Sequence, residues 1–305
     1  MTYTSGGDTI LTVIRRMLFA FTVLWLVLLP GVARSVTFSV PPVDEVKDLH
    51  GDPSRAQLVI FLAGNQYMLM PALLAKFREV HPEVRDVYYE TLPPGIVAKQ
   101  MEQGALQIGN LTVRVRPDVF MAGTRRMTML RRAGFVHAAH VYAVNELAIM
   151  VHAGNPLHIE SLRDLGRPRV RVAMPNPAWE GVGEQIDLAY RKAGGEPLEH
   201  AIMVTKVRAG STILARIHHR QTPLFILDRR ADAGPVWISE ALYQQRIGAP
   251  LQTVRIPASE NVTARYEAAQ VREAPHPALA KAFVEFLTTP AARAVYRAYG
   301  FGEPK

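Results

Sequence analysis

The sequence predicts an α/β protein whose parallel strands are covered by helices. Three observations carry this. Between residues 57 and 132, compact apolar runs alternate with amphipathic stretches in a β-α-β-α-β order. A second alternation begins at VRVAM (170–174). Between them lies VYAVNELAIMVHAGNP (141–156), a long apolar strand able to carry the chain from one lobe to another.

QLVIFLA (57–63) is an apolar run suited to a buried strand. After the turn Gly64-Asn65-Gln66, a helix follows with Leu69, Leu73, Leu74 and Phe77 on one face. Pro71 requires that this helix begin close by. DVYYET (86–91) is a second strand, and Pro93-Pro94-Gly95 opens a helix through Met101, because proline suits the first helical position. Leu106–Arg116 reads as a loop. DVFMA (118–122) is a third strand, followed by a helix over Arg125–Arg132. In the second alternation, a helix is expected from about Gly183 to Lys192, then the HHRQTP region (218–223), the strand GPVWI (234–238) and a helix over Ser239–Arg246. LQTVRI (251–256) and TARYEAAQV (263–271) are strands, the second able to carry the chain back. Helices over Pro277–Leu287 and Pro290–Tyr299 close the chain.

At the N-terminus, Arg15 and Arg16 precede an uncharged run from Met17 to Leu29, broken by Pro30-Gly31, with Ala33-Arg34-Ser35 as small residues at a cleavage point. This is the pattern of a secretory signal peptide, and the run is shorter than the ~20 residues a membrane span needs. The expected organisation is a signal peptide over 1–35 and an extended, proline-rich lead-in over 36–55. A first lobe over 56–142 follows, then a second over 143–262, with a return to the first over 263–305. The product would be periplasmic.

The 305 residues carry 35 basic and 27 acidic side chains, a net charge of +8. The basic residues are scattered, with no nucleic-acid-binding signature, so nucleic acid is not an expected partner; a mildly basic surface favours anionic ligands. The absence of cysteine excludes disulfides, thiolate metal sites and thiol catalysis. No G-x-S-x-G elbow, P-loop, G-x-G-x-x-G or H-E-x-x-H is present, so the sequence offers no enzyme signature.

Ligands of open α/β sheets bind beyond the carboxyl ends of the strands, where helix starts offer backbone N–H groups. Four turns qualify: Gly64-Asn65-Gln66, Thr91–Gly95, NPAWEGVG (176–183) with Glu180 and Gly181, and HHRQTP. In HHRQTP, Thr222 can cap a helix with Pro223 at its first position. His218, His219 and Arg220 would stand at the positive end of that helix, where cations sit badly unless an anion compensates. An oxyanion would supply one, with Arg220 as a planar donor fork. The bland reading is a solvated helix start. The metal reading takes His218 or His219 with Glu90 and Glu180, although adjacent histidines diverge. Glu180 equally serves as a helix cap or a salt-bridge partner. Trp237 adds an aromatic wall.

FLAGNQ, ETLPPGIVAKQM, RPDVFMAGT, ADAGPVWISEA and the ending FLTTPAARAVYRAYGF together resemble the periplasmic solute-binding proteins of ABC uptake systems, in particular the molybdate-binding group, over most of residues 57–301. The resemblance implies a two-lobed periplasmic-binding-protein architecture, each lobe a mainly parallel sheet flanked by helices, joined by crossover strands. It implies an oxyanion of the molybdate or tungstate type as ligand, a membrane permease as partner, no cofactor, and a monomer. Turns and resemblance together give Asn65, Gln66, Gly95, Glu180, Gly181, His218, His219, Arg220, Thr222 and Trp237 as the expected ligand-binding residues, although the turn that bears His218, His219 and Arg220 donates mainly backbone N–H in the family. Asn65 stands where the family's first serine would, Pro94 where a second would, and Trp237 at a tyrosine position; proline donates neither an O–H nor an N–H. A carboxylate, a metal ion or its complex, a sensor subunit and a periplasmic enzyme are the alternative readings.

Overall fold

The computed structural model describes residues 48–108, 111–178, 180–216, 218 and 220–304. The expected signal peptide, most of the lead-in and His219 lie outside them.

Twelve strands are described: β1 (Leu49–His50), β2 (Leu58–Leu62), β3 (Val87–Glu90), β4 (Leu106–Ile108), β5 (Leu111–Val113), β6 (Val119–Gly123), β7 (His140–His152), β8 (Val172–Met174), β9 (Thr212–Leu214), β10 (Ala233–Trp237), β11 (Leu251–Arg255) and β12 (Thr263–Gln270). The main helices are α1 (Met70–Val80), α2 (Pro94–Gln103), α3 (Thr124–Arg132), α4 (Gly181–His200), α5 (Gln221–Leu227), α6 (Ile238–Arg246), α7 (Pro277–Phe286) and α8 (Pro290–Ala298). Prolines stand in the first turn of α1, α2, α7 and α8, where a missing N–H costs nothing.

The strands form one ten-stranded mixed sheet in the order β1-β3-β2-β6-β12-β7-β10-β8-β9, with β11 also on β7. Two parallel blocks, β3-β2-β6 and β10-β8-β9, flank an antiparallel centre made by β7 and β12. The sequence suggested a separate sheet for each lobe. A single sheet results because β7 is thirteen residues long and pairs through its first half with β12 and through its second half with β10 and β11.

Side chains alternate across the strands, and the alternation sorts the core into layers. In β2, Leu58, Ile60 and Leu62 enter one cluster while Val59 and Phe61 enter another. The first cluster continues along the same face through Leu147, Ile149 and Val151 of β7 to Val172 and Met174 of β8. Helices α1, α4, α7 and α8 cover it with Phe77, Ile186, Tyr190, Phe283 and Tyr296, all buried. The opposite face carries two separate clusters, one under α2 and α3 with Val97, Met127 and Leu130, the other under α5 and α6 with Phe225, Ile226 and Ala241. Full burial of each such large side chain contributes roughly 1.5–3 kcal/mol.

Several local expectations need correction. Residues 106–108 and 111–113 pair antiparallel as β4 and β5 rather than forming a loop; three-residue strands are too short to show an alternation. β9 was not foreseen, for the same reason. The helix expected to end near Lys192 runs on to His200, interrupted at Gly194 and Gly195, the latter at φ 69. The lead-in ends in a true strand, β1, whose Leu49 and His50 pair antiparallel with Glu90 and Tyr89. Thr222 is not a helix cap: α5 begins at Gln221, whose side chain accepts the Arg216 N–H at 2.9 Å and so holds the turn.

Asp118, fully buried at the start of β6, binds the first parallel block to α7. Its carboxylate accepts the Val59 N–H at 2.8 Å and the His276 N–H at 2.6 Å, with the His276 ring Nδ1 at 3.0 Å. Asp118→Ala strands the buried Val59 N–H and the part-buried His276 N–H and should lower the free energy of unfolding by about 2–4 kcal/mol, measured by urea denaturation.

Candidate functional site

A cleft of about 630 Å³ opens between the two halves of the sheet. The first half contributes Gly64 and Asn65, Pro94 and Gly95, Gly123–Arg126 and Met129. The second half contributes Ala178, Glu180–Val182, Glu184, Gln185 and Trp237, and β12 lines it with Thr263–Tyr266. The strand tips explain this placement. β2 ends at Ala63, β6 runs directly into α3, Glu180 sits in extended backbone (φ −103, ψ 116) as the cap of α4, and Trp237 does the same for α6. The starts of α2, α3 and α4 thereby turn toward one space, with first-turn N–H groups that have no partner within their helix.

Of the residues singled out in the sequence, Asn65, Gly95, Glu180, Gly181 and Trp237 meet at this cleft. The Asn65 amide donates to the Tyr266 hydroxyl at 2.8 Å, and Tyr266 packs edge-on against Trp237 with ring centroids 6.0 Å apart. The buried Glu180 is held through its own N–H, which donates to the Asn176 carbonyl at 2.9 Å.

Gln66, His218, Arg220 and Thr222 are not brought to the cleft wall. The Gln66 side-chain oxygen accepts hydrogen bonds from Tyr142 at 2.8 Å and Tyr296 at 3.1 Å, deep in the core. Thr222 is fully buried, its methyl group against Gly234. Arg220 spans the two halves from the side: its guanidinium pairs with Asp48 and lies 4.7 Å over the Tyr67 ring. His218 Nδ1 accepts from the Arg220 N–H at 3.2 Å and from its Nε–H at 3.3 Å, which fits a neutral imidazole and lets it sit beside a guanidinium. The same ring comes so close to Gly64 that a Cβ there would lie 2.6 Å from Nε2 and 2.7 Å from the Thr91 carbonyl oxygen. The compensating anion that the sequence asked for at HHRQTP is therefore an internal carboxylate. It lay hidden because Asp48 is 172 residues away, in a stretch read as lead-in.

Glu90 is also apart from the cleft, and it is fully buried. It accepts from the Tyr88 hydroxyl and from Gln100, each at 2.9 Å. Burial pushes its carboxyl up to about 7, against those two hydrogen bonds, with the charge of Asp48 adding to the rise. Among the described residues, no three His, Asp or Glu side chains converge as a metal site.

The arginines at the start of α3 were the residues missed. Arg125 crosses the cleft to pair with Glu184 of α4. Arg126 lines the cleft beside it, and Arg265 of β12 joins them. α3 has no acidic residue in its first turn, so the dipole argument applied to HHRQTP could have been applied to GTRRM (123–127).

A family model for bacterial extracellular solute-binding proteins matches residues 58–302. The chain belongs to this family. It is a solute-binding protein rather than an enzyme. The molybdate-binding protein ModA of Mycobacterium tuberculosis is 27% identical over 250 residues, covering 81% of this chain and 85% of ModA. Two solved structures share the fold. The Azotobacter vinelandii periplasmic molybdate-binding protein superposes with a TM-score of 0.65 at 18% identity, covering 81% of this chain and 100% of that one. The M. tuberculosis sulfate-binding protein SubI gives 0.66 at 20% identity, covering 80% and 85%. The cleft of this solute-binding protein lies at strand tips, where an open α/β sheet is expected to take a ligand.

Two predictions follow from the buried charges. Arg220→Ala and Asp48→Ala should each lower stability by about 2–3 kcal/mol, and the double variant by little more than one of them; a double-mutant cycle from denaturant unfolding checks this. For Glu90 the folded carboxyl keeps its proton up to about pH 7, whereas the unfolded one loses it near its ordinary value. Stability on this account falls as pH rises between the two. Glu90→Gln should therefore be near neutral at pH 4 and stabilising by about 2–3 kcal/mol at pH 8, read from thermal unfolding at the two pH values.

Proposed function

We propose that this protein is the periplasmic solute-binding component of an ABC uptake system. It captures a small oxyanion of the molybdate or tungstate type between two lobes and hands it to a membrane permease. One lobe comprises residues 56–142 and 263–305, the other residues 143–262, and residues 1–35 are the secretory signal. The single observation that carries the reading is the meeting of helix starts from both sides of the sheet in one cleft: Gly95 and Thr124 from one half, Gly181 and Val182 from the other. Backbone donors and dipole ends stabilise a bound anion, and a site divided between two halves is complete only when they close, so binding favours the closed form. The similarity to molybdate- and sulfate-binding proteins supports this ligand class. The protein acts as a monomer.

Thermal unfolding of the purified protein with added molybdate, tungstate, sulfate, divalent metal ions or carboxylates tests the reading. A tetrahedral oxyanion at about 100 times its dissociation constant should add ~2.7 kcal/mol of stability. A transition that moves only with divalent metals would reject it.

A further inference from the structure

Beside the helix starts, the cleft has a second set of groups on its wall. Arg126 and Arg265 line it, and among the described residues neither side chain has a hydrogen-bond or ion-pair partner. The other arginines tied between the halves are matched: Arg220 with Asp48, Arg125 with Glu184. Arg126 also stands in the first turn of α3, where the positive end of the helix adds to its charge and no acidic residue offsets it. Met129, one turn further along α3 and 51% exposed, turns an apolar surface to the same space. An inorganic ion has no use for a thioether wall, whereas a carbon skeleton gains by covering it.

We propose that the same cleft also takes an organic anion, a phosphorylated carboxylic acid, whose phosphoryl head sits at the helix starts of the cleft and whose carboxylate reaches Arg126 and Arg265. The short carbon chain between them passes along Met129. This rests on the reading that the helix starts hold an oxyanion, and it adds the second acidic group. Planar guanidinium groups favour a carboxylate through paired, charge-assisted hydrogen bonds.

Isothermal titration of the purified protein with phosphoenolpyruvate, phosphoglycerate, inorganic phosphate and molybdate decides the matter. At least one of the two phosphorylated acids should bind about ten-fold or more tighter than inorganic phosphate. In the Arg126→Ala/Arg265→Ala variant every anion loses the attraction of two charges, but the phosphorylated acid should lose about ten-fold more affinity than inorganic phosphate or molybdate, so that its advantage vanishes. Both positions are at the cleft surface, and an unchanged melting temperature verifies the fold of the variant. If molybdate binds and neither phosphorylated acid exceeds inorganic phosphate, the inference falls and the oxyanion reading stands. If the variant weakens every anion equally, the arginines only steer charge into the cleft and the inference falls. If none of the four binds, both readings fall together.

Discussion

The structure depends on one strand serving two sheet neighbourhoods. β7 pairs with β12 up to Glu146, and from Leu147 onward it has β10 on one side and β11 on the other. Where the neighbour changes from β12 to β11, the peptide groups of Leu147 would be left without a ladder partner. The Asn261 side chain fills that gap: its carbonyl accepts the Leu147 N–H at 3.0 Å and its amide donates to the Leu147 carbonyl at 2.9 Å. Asn145, two residues earlier, donates to the Ser239 hydroxyl at the start of α6. A buried, unpaired backbone group costs as much as a lost hydrogen bond, so Asn261 is what allows the sheet to continue through the crossing. Every strand tip at the cleft takes its position from that continuity.

The cationic side chains around the cleft are handled in three ways, and burial decides which. Arg220 is 6% exposed and has a largely buried carboxylate, an aromatic face and an imidazole around it; an unmatched guanidinium there would be costly. Arg125 is 73% exposed, and its pair with Glu184 is worth little in water and less at high salt. The first tie is a fixed part of the molecule. The second is a contact across the cleft that a ligand with better acceptors can displace. Arg126 and Arg265, exposed enough to be hydrated, need no internal partner and keep their donors available.

The elements with strong periodicity were legible: the strand and helix pattern from 57 to 132, the long β7 and the two closing helices follow from alternation, proline placement and apolar faces. The cleft positions at Asn65, Gly95, Glu180, Gly181 and Trp237 were legible because strand-to-helix turns in a parallel block all face one end of the sheet. What could not be read was pairing at a distance. The partner of Arg220 stands just before a strand of two residues, and the burial of Glu90 follows from its neighbours across β1 and β2 rather than from its own sequence. Local rules for helix ends identified HHRQTP as a place needing an anion, which was sound physics. They could not say whether the anion would come from solution or from the chain.

The donor inventory of the cleft connects these points. The resemblance to molybdate-binding proteins implies hydroxyl donors at two turns; here Asn65 has an amide whose first N–H goes to Tyr266, and Pro94 contributes neither a hydroxyl nor an N–H. Trp237 has one N–H in place of a tyrosine hydroxyl. Neutral side-chain donors are thus fewer than the resemblance implies, while guanidinium donors line the same cleft at Arg126 and Arg265. Hydroxyls and backbone N–H groups hold a compact dianion without needing its charge cancelled. Guanidinium groups act through charge and a planar fork, and they are matched by a planar carboxylate. Guanidinium donors beside the helix starts thus let one cleft that holds an oxyanion by neutral donors also favour an oxyanion with a carboxylate attached.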